Sequence, residues 1–202
     1  MGMDSFSCIL LDLGGVLYGV DYLRTVQALG LPPEALPGLL TDPALLAYEK
    51  GLLSTKGFLA HLRKRFPEHS LEALIEAWNA MLLGPLPQTP AILHALSRAY
   101  SLALLSNTND LHLMVVEPDI LPWSPYFEDM FFSNRLGQRK PDPDTYRTVL
   151  KKLGWNPEKT LFVDDSPTNI EGARQAGLQT LLLSTPNRPD LLLNLLPQPS
   201  QS

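Results

Sequence analysis

Apolar positions along this chain follow two rhythms. One is a set of short unbroken runs, Cys8-Ile9-Leu10-Leu11, Leu102-Ala103-Leu104-Leu105, Met130-Phe131-Phe132, Leu161-Phe162-Val163 and Thr180-Leu181-Leu182-Leu183. They have the length and character of strands buried on both faces. Helical stretches lie between them, opening at Thr89-Pro90, after Asn109, at Asp142-Pro143 and ahead of Ile170 to Ala173. Such alternation predicts a parallel sheet with helices on both faces. The other rhythm fills the chain from about Asp21 to Gly84, where the periodicity is helical and no run reads as a strand, so an all-α insert is expected. Its punctuation supports this: Asp42 stands before Pro43, Ser70 precedes Leu71, Leu74, Ile75 and Trp78 with Gly84 as the stop, and Leu59, Leu62 and Phe66 form a stripe ahead of Pro67. Arg63, Lys64 and Arg65 on that stripe read as a solvated face.

Polar residues punctuate the ends of four of these segments. Asp12 ends the first run and is followed by Gly14-Gly15; Ser106-Asn107-Thr108-Asn109 follows the second; Arg139-Lys140-Pro141 precedes the helix at Asp142; Asp164-Asp165 with Asn169 closes Leu161 to Val163. Each has a bland reading when taken alone. Asp12 could cap a turn, Ser106 could cap a helix, and Asp164-Asp165 could be the acidic start of one. Asp142 before Pro143 is best read as an N-cap with no part in chemistry. In an open parallel sheet, however, ligands bind beyond the carboxyl ends of the strands at the switch point in strand order. All the punctuating residues fall at such ends.

Together, and in this order, they resemble the haloacid dehalogenase-like hydrolase superfamily, whose motifs are a nucleophilic Asp, a Ser or Thr, a Lys and a late acidic pair. The resemblance covers nearly the whole chain. It implies a Rossmann-like α/β core, residues 1–18 and 86–202, carrying an inserted all-α cap, residues 19–85. It also implies roles. Asp12 is the nucleophile that would form an aspartyl-phosphate, Ser106 with the backbone N–H of Asn107 holds the transferring group, and Lys140 pairs with both nucleophile and phosphate. Mg²⁺ is held by Asp12, the Gly14 carbonyl and Asp165, with Asp164 and Asn169 in support. These residue types suit phosphoryl transfer, which needs an in-line nucleophile and cations facing the non-bridging oxygens. Adjacent carboxylates repel, and a hard divalent cation relieves that repulsion.

The sequence departs from the pattern at Gly14. Most phosphatases of this superfamily place there a second Asp that protonates the leaving group, and losing such a group typically costs about a hundredfold to ten-thousandfold in rate. The backbone carbonyl survives, so metal binding is compatible with the change. Tyr18, Glu49, Asn109 and His112 are the candidate substitutes. The segment from Leu105 to His112, with Asp12-Leu13-Gly14, also resembles a branch of bacterial sugar-phosphate phosphatases whose active members lack that Asp. Cap residues Tyr18, Tyr22, Arg24, Glu49 and Lys50 are candidates to face the substrate. His61, His69 and His94 read as ordinary surface or boundary residues.

Composition narrows the picture. The chain of 202 residues has room for one sizeable core or a core plus an accessory unit, and its 16 basic and 21 acidic residues give a charge of −5 with no basic stripe. Nucleic acid is therefore disfavoured as a partner. The lone Cys8 reads as a small buried hydrophobe in a reducing compartment, no apolar run reaches a membrane span, and a cytoplasmic protein is expected. The polar tail from Pro197 is expected to fray. Three readings stay open: a Mg²⁺-dependent phosphatase of a small phosphorylated metabolite such as a sugar phosphate, a 2-haloacid dehalogenase, and a non-catalytic binding protein.

Overall fold

The computed structural model describes residues 6–197, so the tail beyond Pro197 lies outside the described residues. Strand β1 (Cys8–Leu11) leads through a glycine turn into β2 (Tyr18–Val20). Five helices follow: α1 (Tyr22–Ala28), α2 (Leu36–Leu40), α3 (Pro43–Glu49), α4 (Thr55–Arg65) and α5 (Leu71–Asn79). The chain then returns as β3 (Leu82–Pro85) and continues as α6 (Thr89–Ser97), β4 (Ser101–Ser106), α7 (Asp110–Ile120), β5 (Asp129–Phe132), α8 (Ser133–Leu136), α9 (Pro143–Leu153), β6 (Thr160–Asp164), α10 (Pro167–Gln175) and β7 (Gln179–Leu182).

Five strands form one parallel sheet in the order β5-β4-β1-β6-β7, a Rossmann-like core. Successive residues of a strand point to opposite faces, and the apolar runs serve both. Ile9, Leu11, Leu102, Leu104, Leu161 and Val163 pack with Ile92, Leu96, Leu113 and Val116 from α6 and α7. Leu10, Ala103, Leu105 and Phe162 pack with Tyr146, Val149, Ile170 and Ala173 from α9 and α10. From β1 the chain moves outward through β4 to β5, then returns to the other side of β1 as β6. That reversal gathers the carboxyl ends of β1, β4 and β6 around one crevice. Register fixes the detail: Leu11 lies opposite Leu104 on one side and Val163 on the other, so Asp12 and Asp164 stand next to each other one step beyond.

The insert has its own apolar cluster, built on Val26, Leu39, Leu45, Tyr48, Phe58, Leu62, Leu74 and Trp78, and Leu111 of α7 joins it from the core. Three expectations need correction. The insert is not purely helical, because β3 pairs antiparallel with β2 to make a ribbon at its base. Gly84 accordingly does not stop the last helix, which ends at Asn79; it lies inside β3 at φ +100, a conformation that a side chain disfavours. A strand containing Gly84 and Pro85 has little intrinsic preference for that state and forms because its partner is supplied from across the insert. Cys8, at the start of β1, is partly buried rather than buried. No helix among the described residues is long and apolar enough to cross a membrane.

Candidate active site

Lys140 is the pivot of the crevice. It is 1% exposed, and its Nζ lies 2.7 Å from Asp12 Oδ1 and 2.7 Å from Asp164 Oδ2. Burial works against its charge, yet Asp12 and Asp164 outweigh burial and hold the ammonium protonated. The residue is delivered here through its backbone as well. The Lys140 N–H donates to Asn107 Oδ1 at 2.9 Å and the Lys140 carbonyl accepts from Asn107 Nδ2 at 2.9 Å, so the side-chain amide of one loop splints the other. Helix α10 presses on the next residue, since a Cβ on Gly172 would collide with the Pro141 carbonyl.

The neighbouring acids differ sharply from one another. Asp164 is fully buried and saturated with donors: Lys140 Nζ, the Ser166 N–H at 2.7 Å, and Asn169 Nδ2 at 3.1 and 3.0 Å to its two oxygens. Asp12 uses Oδ1 for Lys140 and for the Leu13 N–H at 2.7 Å, and its Oδ2 has no partner among the described residues. Burial first, and then Asp164, push the Asp12 carboxyl well above the usual range, against the pull of Lys140. Asp165 is half-buried and faces the cavity, with a pKa pushed up to about 6 by burial and by Asp164. Gly15 makes room for it: the backbone there has φ +74, and a Cβ would collide with the Asp165 carboxylate.

Oxygens of Asp12, Asp164 and Asp165 all lie within 4.8 Å of one another. One ammonium faces three carboxylates, which leaves an excess of buried negative charge that a hard divalent cation would offset. The donor set therefore fits Mg²⁺. Asp12, with its free Oδ2, and Asp165 have oxygens to offer, whereas Asp164 is committed to protein donors.

A cavity of about 240 Å³ opens above these acids, lined among others by Asp12, Gly14, Ser106, Asn107, Lys140, Asp165 and Asn169. Seven of the eight residues to which the family resemblance gives roles thus meet there, and the eighth, Asp164, lies beneath. Ser106 closes β4, but it does not cap the next helix; Asn109 does, its Oδ1 accepting from the His112 N–H at 3.1 Å. Ser133, unnoticed in the sequence, fixes this loop by accepting from the Thr108 N–H at 2.9 Å and donating to the Thr108 carbonyl at 3.1 Å. Asn187, another omission, bridges Gly15 and Val20 of the turn that carries Asp12. Its one signal is an Asn-Arg-Pro segment that favours a turn, at φ 61.

The candidate proton donors sort themselves out. The Tyr18 hydroxyl donates to Asp119 at 2.8 Å and is held protonated by burial and by that carboxylate, so it is turned to a partner of its own. His112 is pushed down to about 4 by burial and is neutral. Its Nε2–H donates to the Trp78 carbonyl at 3.3 Å, its Nδ1 accepts from Asn109 Nδ2 at 3.2 Å, and its ring stacks on Trp78. Both nitrogens are engaged, and both residues tie the insert to α7. Glu49 is paired with Arg139 across the cavity. Tyr22 also lines the cavity; burial of its hydroxyl and the carboxylates of Asp12, Asp165 and Glu49 hold it protonated, although the residue as a whole is 42% exposed. His61 and His69 pair with Asp42 and Glu68, and His94 packs edge-on against Tyr126, all away from the cavity.

A family model described as haloacid dehalogenase-like hydrolase matches residues 6–177. The chain belongs to that family. Among the relatives of this hydrolase, a phosphoglycolate phosphatase from Aquifex aeolicus is 37% identical over 189 residues, spanning 86% of this chain and 83% of the relative. A D-ribitol-5-phosphate phosphatase from Bacteroides thetaiotaomicron is 29% identical over 187 residues, spanning 85% and 89%. A solved structure of a family enzyme from Bacteroides thetaiotaomicron, in complex with magnesium and inorganic phosphate, matches with a TM-score of 0.76 at 29% identity, covering 88% of this chain and 94% of that one.

Proposed function

We propose that this hydrolase is a Mg²⁺-dependent phosphomonoesterase of small phosphorylated metabolites, working through an aspartyl-phosphate on Asp12, with residues 19–85 as the cap over the reacting atoms. The observation that carries this reading is the asymmetry of Asp12: one oxygen is locked by Lys140 and the Leu13 N–H, and the other is unpartnered at the floor of the cavity. A carboxylate held this way presents one nucleophilic atom in a fixed direction. Lys140 neutralises charge on the phosphoryl oxygens, and Ser106 and the Asn107 N–H sit at the adjoining strand end to hold them. Asp12, the Gly14 carbonyl and Asp165 would hold Mg²⁺, whose contribution when bound is to offset the charge of phosphate and carboxylates together. Asp164 and Asn169 orient Lys140 and the loop rather than ligate.

Both named relatives above are phosphatases, and a similar solved enzyme binds magnesium and phosphate, which supports the phosphatase reading. Their names differ in what hangs from the phosphate, a neutral polyol in one and a carboxylate in the other. Halide displacement is disfavoured because it needs no cation, whereas this site keeps Asp165 unpaired beside Asp12 and Asp164. The test is phosphate against halide release from a mixed panel of phosphate esters and 2-haloacids, with and without Mg²⁺. Mg²⁺-dependent phosphate release is expected. Halide release without Mg²⁺ would replace this reading by the dehalogenase, and neither product would leave a binding protein.

A further inference from the structure

Resting on the phosphomonoesterase reading, the part of the cavity away from the phosphate narrows the substrate class. Its wall sets Leu40, Leu45, Met81 and Leu82 beside Tyr22, Glu49, Trp78 and Arg139. The cations lining it are Arg139 and Lys140, and each is already paired with a carboxylate. Lys140 is held between Asp12 and Asp164, and Arg139 Nε donates to Glu49 Oε2 at 2.8 Å with both side chains mostly buried. Glu49 Oε1 has no partner among the described residues. One buried donor is left over among the described residues lining the cavity: Trp78 is 1% exposed, and its Nε1–H has no acceptor there. The Trp78 backbone is pinned by Thr25 and His112, which both donate to its carbonyl. A buried indole N–H without a partner is unusual and asks for one from the ligand.

We propose that this wall selects phosphate esters of short neutral polyols and rejects esters whose leaving group carries a carboxylate. A hydroxyl can accept from Trp78 Nε1 and donate to Glu49 Oε1. A carboxylate can accept from the indole, but it enters a space already holding Glu49, Asp12 and Asp165 with no unpaired cation to meet it. Discrimination here comes from a repulsive element, Glu49, that cancels the one cation the wall contains. The volume of about 240 Å³ lies below the range usual for drug-sized ligands and suits a leaving group of a few carbons.

The matched pair sn-glycerol 3-phosphate and 3-phosphoglycerate tests this, since they share a three-carbon skeleton and differ in a hydroxymethyl against a carboxylate. The wild-type enzyme with Mg²⁺ is expected to favour the polyol ester in kcat/KM by about tenfold or more. Glu49→Gln leaves Arg139 unpaired and should raise kcat/KM for 3-phosphoglycerate, closing the ratio by about tenfold. Trp78→Phe should raise KM for glycerol 3-phosphate more than for methyl phosphate, which has no hydroxyl to offer. Equal or better turnover of 3-phosphoglycerate by the wild type would overturn the inference, as would a ratio that Glu49→Gln leaves unmoved. p-Nitrophenyl phosphate separates the two levels: its turnover together with a preference for 3-phosphoglycerate removes this inference alone, whereas no phosphate release from any ester removes the phosphatase reading with it.

Discussion

The floor and the wall of the cavity are built on opposite plans. On the floor, Lys140, Asp12 and Asp164 form a buried ionic cluster in which nearly every polar atom has a defined partner at 2.7 to 3.1 Å. On the wall, leucines and Met81 stand beside one ion pair, Glu49 with Arg139, and an indole N–H without an acceptor among the described residues. A saturated cluster is rigid, because any displacement leaves a buried charge unpaired. The wall carries a single ion pair, so a substitution there disturbs fewer buried charges. The contrast separates the task of holding the reacting groups from the task of accepting a particular leaving group, and it predicts that substitutions will fall into two distinct classes of effect.

The largest effect should come from the floor atom that is left free. Asp12→Asn preserves size and can still accept from Lys140, but an amide is a poor nucleophile. Phosphate release is expected to fall by roughly a thousandfold or more, with thermal unfolding little changed. Turnover close to wild type, with deamidation excluded by mass spectrometry, would take Asp12 out of the nucleophile role.

The adjacent acids sharpen the comparison inside the floor itself. Asp164→Ala strips Lys140 and Asn169 of a shared acceptor, and breaking a buried pair costs about 3–5 kcal/mol. Asp165→Ala removes a carboxylate that is repelled by its neighbour, so stability should stay within about 0.5 kcal/mol while Mg²⁺ affinity drops. Denaturant titration and calorimetric titration with Mg²⁺ on both variants check this. A greater loss of Mg²⁺ affinity at Asp164 would reverse the assignment.

Floor and wall were also unequally legible in the sequence. Asp12, Ser106 and Asp164-Asp165 each follow a buried apolar run directly, so the local pattern that places the strand also places the residue, and parallel topology brings the strand ends together. The wall has no such local signature. Arg139 and Glu49 lie 90 residues apart, and Tyr18 and Asp119 lie 101 apart. Tyr18 looked like a spare proton donor because nothing nearby in sequence announces Asp119 as its partner. The ribbon was missed for a related reason: Leu82–Pro85 contains Gly84 and Pro85 and becomes a strand only against Tyr18–Val20. Even on the floor, the sequence suggested Asn107 only for its backbone N–H, and the amide that splints Lys140 was visible only in three dimensions.

A third prediction addresses the seam where wall meets floor. His112 is buried with a pKa near 4, against about 6.5 in an unfolded chain. Between those values the unfolded chain binds more protons, so His112 lowers stability as pH falls from about 6.5 towards 4, and its effect levels off below that. The full shift corresponds to about 3–4 kcal/mol as an upper bound. His112→Phe keeps the stacking on Trp78 but strands the Asn109 side-chain N–H and leaves the Trp78 carbonyl to Thr25 alone, so the variant should be less stable at pH 7.5 by about 1–3 kcal/mol. That deficit should shrink on acidification, because the variant has no imidazole to protonate. Denaturant midpoints of both proteins from pH 7.5 to 4.5 measure it, and a deficit that grows towards low pH would mean that His112 is charged in the folded protein.

The smallest effect concerns the position where floor and wall should share a proton and do not. With Gly14 in place of a carboxylate, and with Tyr18, Asn109 and His112 committed elsewhere, negative charge accumulates on the departing oxygen unless Tyr22 or Glu49 relieves it. Rates in the wild type should therefore depend steeply on leaving-group acidity, with aryl and acyl phosphates ahead of alkyl phosphates. Gly14→Asp should flatten that slope, raising alkyl phosphate turnover by about tenfold, or about 1.4 kcal/mol. The turn can take the change: Gly14, unlike Gly15, does not have a positive φ, and a Cβ there would stand 3.2 Å from Val20 Cγ2, a methyl that must give by a few tenths of an ångström. Gly15→Asp makes the contrasting control, because its Cβ collides with the Asp165 carboxylate and it should lose Mg²⁺ affinity instead of gaining rate. Phosphate esters of graded leaving-group pKa, assayed on wild type and Gly14→Asp, decide the point. A shallow slope already present in the wild type would show that a proton is being supplied, and the slopes of Tyr22→Phe and Glu49→Gln would then identify which side chain supplies it.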